Sequence, residues 1–133
     1  IAAELSGRFY KDRPPLYAEA LHVNSSYMTA VANDYGYEET YARMVEASGR
    51  KGDVLVGIST SGNSPNVVKA MLNAKEIGML TVGFTGSKGG KMKEICDIMI
   101  QVPSDDTPRI QEVHILVGHI ICQLIEEEMF PNA

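Results

Sequence analysis

The sequence predicts an α/β fold, a three-layer, doubly wound parallel sheet, and three observations carry that prediction. Short apolar runs without polar alternation stand at residues 54–58, 80–84 and 98–102, the pattern of strands covered on both faces. Helix-like periods separate them, over 67–77 and 91–95. The loops between are short, and strands alternating with helices build a parallel sheet through right-handed crossovers.

Each element follows from local sequence. Ile1 to Phe9 reads as the tail of a helix, with Gly7 near its end; the opening Ile1-Ala2-Ala3-Glu4-Leu5 has neither Met nor a capping residue, so residues upstream are expected. Arg13-Pro14-Pro15 breaks the pattern, and 18–23 is a strand candidate. Ser25 to Ala32 is expected as a helix closed by the turn signal Asn33-Asp34-Tyr35-Gly36. Glu38 to Ser48 carries apolar or aromatic residues at helical spacing and stops at Gly49. After the 54–58 strand, Ser64 suits a helix cap and Pro65 the first helical position, with Gly78 ending that helix. The last helix runs from Arg109 to Met129, with Ile110, Val113, Val117, Ile120, Ile121, Leu124 and Ile125 on its apolar side.

Bulk properties narrow the class. At 133 residues one domain, 1–133, is the expectation. Hydrophobic content of 44% and charged content of 22% are those of a globular domain. A net charge of −5 argues against a nucleic-acid surface. Lys11 and Arg13 read as a solvated surface run. Cys96 and Cys122, the only cysteines, form no C-x-x-C pair, and no run is long enough to span a bilayer, so a reduced cytoplasmic chain is expected.

The candidate chemistry begins with Ser59, Thr60, Ser61 and Ser64, between an apolar strand and a helix start. In such sheets ligands sit beyond the carboxyl ends of the strands. Backbone N–H groups, hydroxyls and the helix dipole together make an anion site. Nothing within the loop is basic, which suits a small phosphorylated metabolite held by neutral donors. The Walker and dinucleotide spacings are both absent. In the long helix, His119 lies between Val117-Gly118 and Ile120-Ile121; a buried imidazole there needs a partner, so it is preferred to His114. The two histidines are five apart, about 140° around a helix, and are not an i, i+4 metal pair. Glu4, flanked by Ala2, Ala3 and Leu5, is a surface carboxylate or a functional acid or base.

The runs AAELSGRF, VANDYGY, GDVLVGISTSGNSPNVVKA, TGSKGGKM and RIQEVHILVGHIICQLIEEEM together resemble the sugar isomerase (SIS) domain, with its flavodoxin-like sheet, and closely the phosphoheptose isomerases. The resemblance covers nearly the whole chain. It implies conversion of sedoheptulose 7-phosphate to D-glycero-D-manno-heptose 7-phosphate in nucleotide-activated heptose and lipopolysaccharide biosynthesis, by a cytoplasmic homotetramer with sites at subunit interfaces. Ser59, Thr60, Ser61 and Ser64 match the family's phosphosugar loop, and Asn33 and Asp34 its substrate-contacting pair. Glu4, Gln111 and His119 match residues that contact substrate and, in members that bind it, zinc, with Glu4 and His119 as the expected acid–base pair. A further zinc-ligating His and a Gly-rich substrate loop of the family fall before Ile1.

Gln111 and His119 are eight apart, about 12 Å of rise and about 80° of rotation, against a zinc bond of about 2 Å. Both reach one ion only if the side chains lean together; otherwise they serve sites on neighbouring subunits. Two other readings stay open: a non-catalytic phosphosugar-binding SIS module, such as a regulator or a replication-initiator-associating protein, and a different sugar-phosphate isomerase acting on arabinose 5-phosphate.

Overall fold

The computed structural model describes residues 1–133, which divide into two compact units, Leu21–Gln111 and Ile1–Ala20 with Glu112–Ala133. The first holds the sheet. Strands β1 (Val54–Ile58), β2 (Leu80–Thr85) and β3 (Ile98–Gln101) are parallel and lie in the order β1-β2-β3. Val54 pairs with Leu80 and Ile58 with Phe84, while Val82 pairs with Ile98 and Thr85 with Gln101. Helices α4 (Pro65–Ile77) and α5 (Met92–Ile95) are the crossovers and touch each other. The α/β class with a parallel sheet is thus the observed one.

Sequential order with crossovers of one hand puts both helices on the same face. Leu55, Gly57, Thr81 and Gly83 turn toward that face and are buried or half-buried. Gly57 and Gly83 are register partners; a Cβ on either would stand 2.7 Å from the sulfur of Met71 or Met99. The bare backbone therefore makes room for the methionines. Met71, Met92 and Val68 form one core cluster, and Val45, Ala70, Ala74 and Met79 another. The alternate positions Val54, Val56 and Ile58 are 54, 37 and 51% exposed. The expectation of a β1 covered on both faces fails, because the crossover helices that pack on β1 lie on one side only.

Helix α2 (Ser25–Tyr35) starts at Asn24, whose Oδ1 accepts from Tyr27 N–H at 3.0 Å. It runs through Asn33 and Asp34 to a Gly36 cap, so the expected turn is the last turn of the helix. A 3-10 turn (Tyr37–Glu39) leads into α3 (Thr40–Ser48), which packs on α4. The strand expected at 18–23 is absent: this segment is irregular, joins no ladder, and leaves Val23 65% exposed.

The second unit consists of α1 (Ala2–Ser6) and the part of α6 (Thr107–Met129) from Glu112 onward. Five residues cannot hold a helix in water by themselves, and tertiary bonds hold this one. Arg13 donates to the carbonyls of Glu4 (2.7 Å), Leu5 (2.7 Å) and Gly7 (3.2 Å), at the C-terminal end of α1. Its Nε bonds Glu126 at 2.9 Å, with both side chains at most 1% exposed. Glu126 also accepts from the N–H groups of Phe9, Tyr10 and Lys11 at 2.9, 2.8 and 3.1 Å. Arg13 is therefore not part of a solvated run but the buried clasp of α1. Along α6 the inward row is Ile110, His114, Gly118, Cys122 and Glu126, spaced by four as a helix face requires. Ile120 and Leu124, expected on the apolar side, are 45 and 56% exposed.

No helix is long and apolar enough to cross a membrane.

Candidate functional site

The hydroxyl loop occupies the place the sequence assigns it, directly after β1 and before α4. Ser59 is 5% exposed, and its Oγ lies 2.8 Å from Ser64 Oγ and 3.5 Å from Ser61 Oγ. Ser61 Oγ accepts from Asn63 N–H at 3.2 Å, and Ser59 Oγ accepts from Ser64 N–H at 3.4 Å. Each hydroxyl has one hydrogen to give. The Ser59–Ser64 contact uses one and the longer Ser59–Ser61 contact at most another, so at least one of the three hydrogens remains for an anion.

The helix start reinforces this. Ser64 stands at the cap position and Pro65 at the first helical position, but Ser64 makes no side-chain cap bond; its hydroxyl belongs to the loop instead. Asn66 Oδ1 accepts from Val67 N–H at 2.9 Å. Ser64 therefore does not act as the helix cap expected of it, and an ordinary capped entry does not explain the hydroxyls. Thr60 is half-buried, and its carbonyl accepts from Gly86 N–H at 2.8 Å.

Ser64 also lines an open cleft of about 530 Å³ with Gly36, Tyr37, Glu38, Pro65 and Asn66. Asn33 and Asp34 are exposed at the end of α2, just before this cleft's Gly36, and Asn33 Nδ2 donates to Asp34 Oδ1 at 3.0 Å. Lys69, one turn into α4, donates to Glu38 Oε1 at 2.7 Å and to Glu39 Oε1. Those bonds, first with Glu38 and then with Glu39, raise the Lys69 pKa and tether the 3-10 turn to α4. Gln111 is exposed in the second turn of α6.

Glu4 and His119 belong to the other unit. Glu4 is half-buried on α1, whose backbone is clasped by Arg13. His119 is exposed, contrary to the expected buried imidazole, while His114 is 5% exposed. The helical phase is the cause: 114, 118 and 122 face inward, and 119 lies a residue further round. The His119 ring stacks on Phe9 at 5.6 Å between centroids and 28° between planes. The start of α1 meets the same stretch of α6, since a Cβ on Gly118 would stand 3.1 Å from the Ile1 side chain. Cys122 Sγ lies 4.0 Å from the Ile1 carbonyl oxygen. Burial raises the Cys122 pKa, and the charge on Glu4 adds to it. A carboxylate on α1 and an imidazole on α6 are donor types that zinc takes. No three His, Cys, Asp or Glu side chains converge as a full metal cluster.

Asn63, Asn66 and Glu38 shape these places without being singled out by the sequence, and Arg13, expected in a solvated run, does so as the clasp of α1. Asn63 stood inside the quoted loop, and the inward spacing that places Glu126 on the row of Ile110 and Cys122 was available to find a partner for Arg13.

The comparisons with known proteins give the class first. The SIS domain family matches residues 1–86. A phosphoheptose isomerase of Aneurinibacillus thermoaerophilus is 54% identical over 132 residues, covering 99% of this chain and 67% of that protein. One from Burkholderia pseudomallei (strain 1710b) is 55% identical over 130 residues, 98% of this chain and 66% of its own length. Among solved structures, a phosphoheptose isomerase from Francisella tularensis superposes with a TM-score of 0.91 at 37% identity, covering 95% of this chain and 68% of the other. One from Neisseria gonorrhoeae gives 0.88 at 44% identity, covering 95% and 67%. The chain spans about two thirds of the length of these relatives. It belongs to the SIS domain family and, within it, to the phosphoheptose isomerases.

Proposed function

We propose that this chain is a ketose–aldose isomerase converting sedoheptulose 7-phosphate to D-glycero-D-manno-heptose 7-phosphate, on the route to nucleotide-activated heptose and lipopolysaccharide. The observation that carries the reading is the cluster of Ser59, Ser61 and Ser64 hydroxyls at the start of α4, with the cap hydroxyl turned into the loop. These residues, with Thr60, hold the phosphate, and Asn33, Asp34 and Gln111 contact the sugar. The reaction is redox-neutral overall. A base removes a proton from C1, an acid polarises the C2 carbonyl as the enediolate forms, and a proton returns to C2. Glu4 and His119 are the acid–base pair in this reading. Glu4, Gln111 and His119 are also the ligands this chain would offer to zinc, which when bound supplies Lewis-acid polarisation of the carbonyl.

The acting species is a homotetramer with sites at its interfaces. Support comes from α6, where Ile115, Leu116, Ile120 and Leu124 are 63, 57, 45 and 56% exposed, more apolar surface than one helix face ordinarily leaves to water. A cytoplasmic location goes with the unpaired Cys96 and Cys122. One SIS domain over residues 1–133 is the matching domain reading.

The test is an assay with sedoheptulose 7-phosphate and, in parallel, with the ketose partner of arabinose 5-phosphate, each with and without a chelator. Turnover of the heptulose phosphate supports the reading. Turnover of the pentulose alone, or phosphosugar binding with no turnover of either, overturns it. His119→Gln is expected to abolish turnover while largely sparing sugar-phosphate binding; near-full turnover removes His119 from the acid–base pair.

A further inference from the structure

The hydroxyl loop is held by a second loop as well as by its own bonds. The loop that follows β2, residues 86–91, is folded directly against it. Gly86 N–H donates to the Thr60 carbonyl at 2.8 Å and Met92 N–H to the Gly62 carbonyl at 3.1 Å. Gly62, Gly89 and Gly90 all have positive φ, and they lie in contact. A Cβ on Gly62 would stand 2.0 Å from the Gly89 carbonyl oxygen, and one on Gly90 would stand 2.5 Å from the Ser61 carbonyl oxygen. Both are backbone collisions that no side-chain rotation relieves.

One side chain spans this seam. Asn63 Nδ2 donates to the Ser61 carbonyl at 3.1 Å, while Asn63 Oδ1 accepts from Lys91 N–H at 3.0 Å. Its own backbone N–H donates to Ser61 Oγ at 3.2 Å. Asn63 thus fixes both the carbonyl and the hydroxyl of Ser61 and ties them to the segment that opens α5. It is exposed and touches no core cluster.

We infer that Asn63 is a positioning residue for anion binding: its amide locks the Ser59–Ser64 loop to the 86–91 loop, so that the serine hydroxyls are set before a phosphate arrives. This rests on the phosphate reading given above. Preorganisation of this kind acts on affinity, since the free loop would otherwise be ordered at the moment of binding.

The experiment compares the unaltered protein with Asn63→Ala and Asn63→Ser, using titration calorimetry with inorganic phosphate and steady-state kinetics with the heptulose phosphate. Both variants are expected to bind phosphate roughly three- to tenfold more weakly, the scale of one or two lost hydrogen bonds. KM should rise by a similar factor with kcat within about twofold, and the thermal midpoint should fall only slightly, since the fold loses no more than the same one or two exposed hydrogen bonds. Phosphate binding by the unaltered protein that survives both substitutions overturns the proposal alone. So does a fall in kcat at constant KM. No phosphate binding by the unaltered protein overturns the phosphate reading and this proposal with it.

Discussion

Replacing Gly62 by Ala measures how rigidly the two loops are locked, and Gly52→Ala supplies the reference. Gly52 has a φ of +93° and nothing within 4 Å of where its Cβ would be. Alanine there meets only the backbone penalty of a positive φ, about 1–2 kcal/mol. Gly62 has a φ of +67°, so the same penalty applies, but its Cβ would also lie 2.0 Å from the Gly89 carbonyl oxygen and 2.5 Å from the Gly89 carbonyl carbon. Carbon and oxygen need more than 3 Å, so a backbone segment must move by about 1 Å. Forced expansion of packed structure costs about 1–3 kcal/mol more, and Gly62→Ala should lose about 2–5 kcal/mol in all. Equilibrium urea denaturation is the assay. With a slope of about 1–3 kcal/mol/M, a loss near the middle of that range lowers the midpoint by roughly 1–3 M, clearly more than Gly52→Ala does. Equal losses at the two positions would refute the reasoning, since they would mean that the 86–91 loop gives way freely.

Two further expectations concern the other unit and its surface. Burial works to raise the Glu126 pKa, but the N–H groups of Phe9, Tyr10 and Lys11 and the Arg13 guanidinium outweigh it and lower it from 4.5 to about 2. A depressed carboxylate stabilises the fold above its unfolded pKa and stops doing so as pH falls through the folded one. Thermal midpoints should therefore be level above about pH 5 and drop between 4.5 and about 2, and Glu126→Gln should be less stable at neutral pH with a flatter acid limb; an unchanged acid limb would remove Glu126 from the account. Leu116→Glu places a charge in the exposed apolar stripe of α6, where the side chain is 57% exposed. Sedimentation velocity should show smaller species with the monomer's own stability unaltered, and an unchanged assembly would take that stripe out of the interface.

Periodicity made the sheet legible. Strands at 54–58, 80–85 and 98–101 and the helix opening at Pro65 lie within a residue of where apolar runs and breakers place them, because each depends on neighbours in sequence. What was not legible depends on neighbours in space. The face of α6 that turns inward is decided by its packing partners, so Ile120 and Leu124 came out exposed and His119 with them. Arg13 looked like a surface cation because its partner Glu126 is 113 residues away. The 18–23 segment offers only Val23 as a strong strand former and pairs with no strand, and a short apolar stretch without a ladder partner builds none. Asn33 and Asp34 carry turn chemistry, yet Gly36 supplies the helix stop and leaves them in the last helical turn.

The loop pairing also changes the electrostatic reading of the anion site. Taken by itself the Ser59–Ser64 stretch is neutral, in a chain of net charge −5, which is an odd receptor for a phosphate dianion. The segment clasped to it is not neutral: it carries Lys88 and Lys91, both exposed, and the backbone of Lys91 is bonded to Asn63. Each such charge in water contributes only about 1 kcal/mol even at 4 Å, so these lysines do not replace the hydroxyls and N–H groups as the binding donors. Their effect falls on encounter, where a local positive potential raises the association rate of an anion and fades as salt is added. On the proposed phosphate reading, specific contact and long-range attraction would be divided between two loops at the carboxyl ends of adjacent strands, β1 and β2. In that reading, the glycine seam and Asn63 are what would bring those two loops to the same anion.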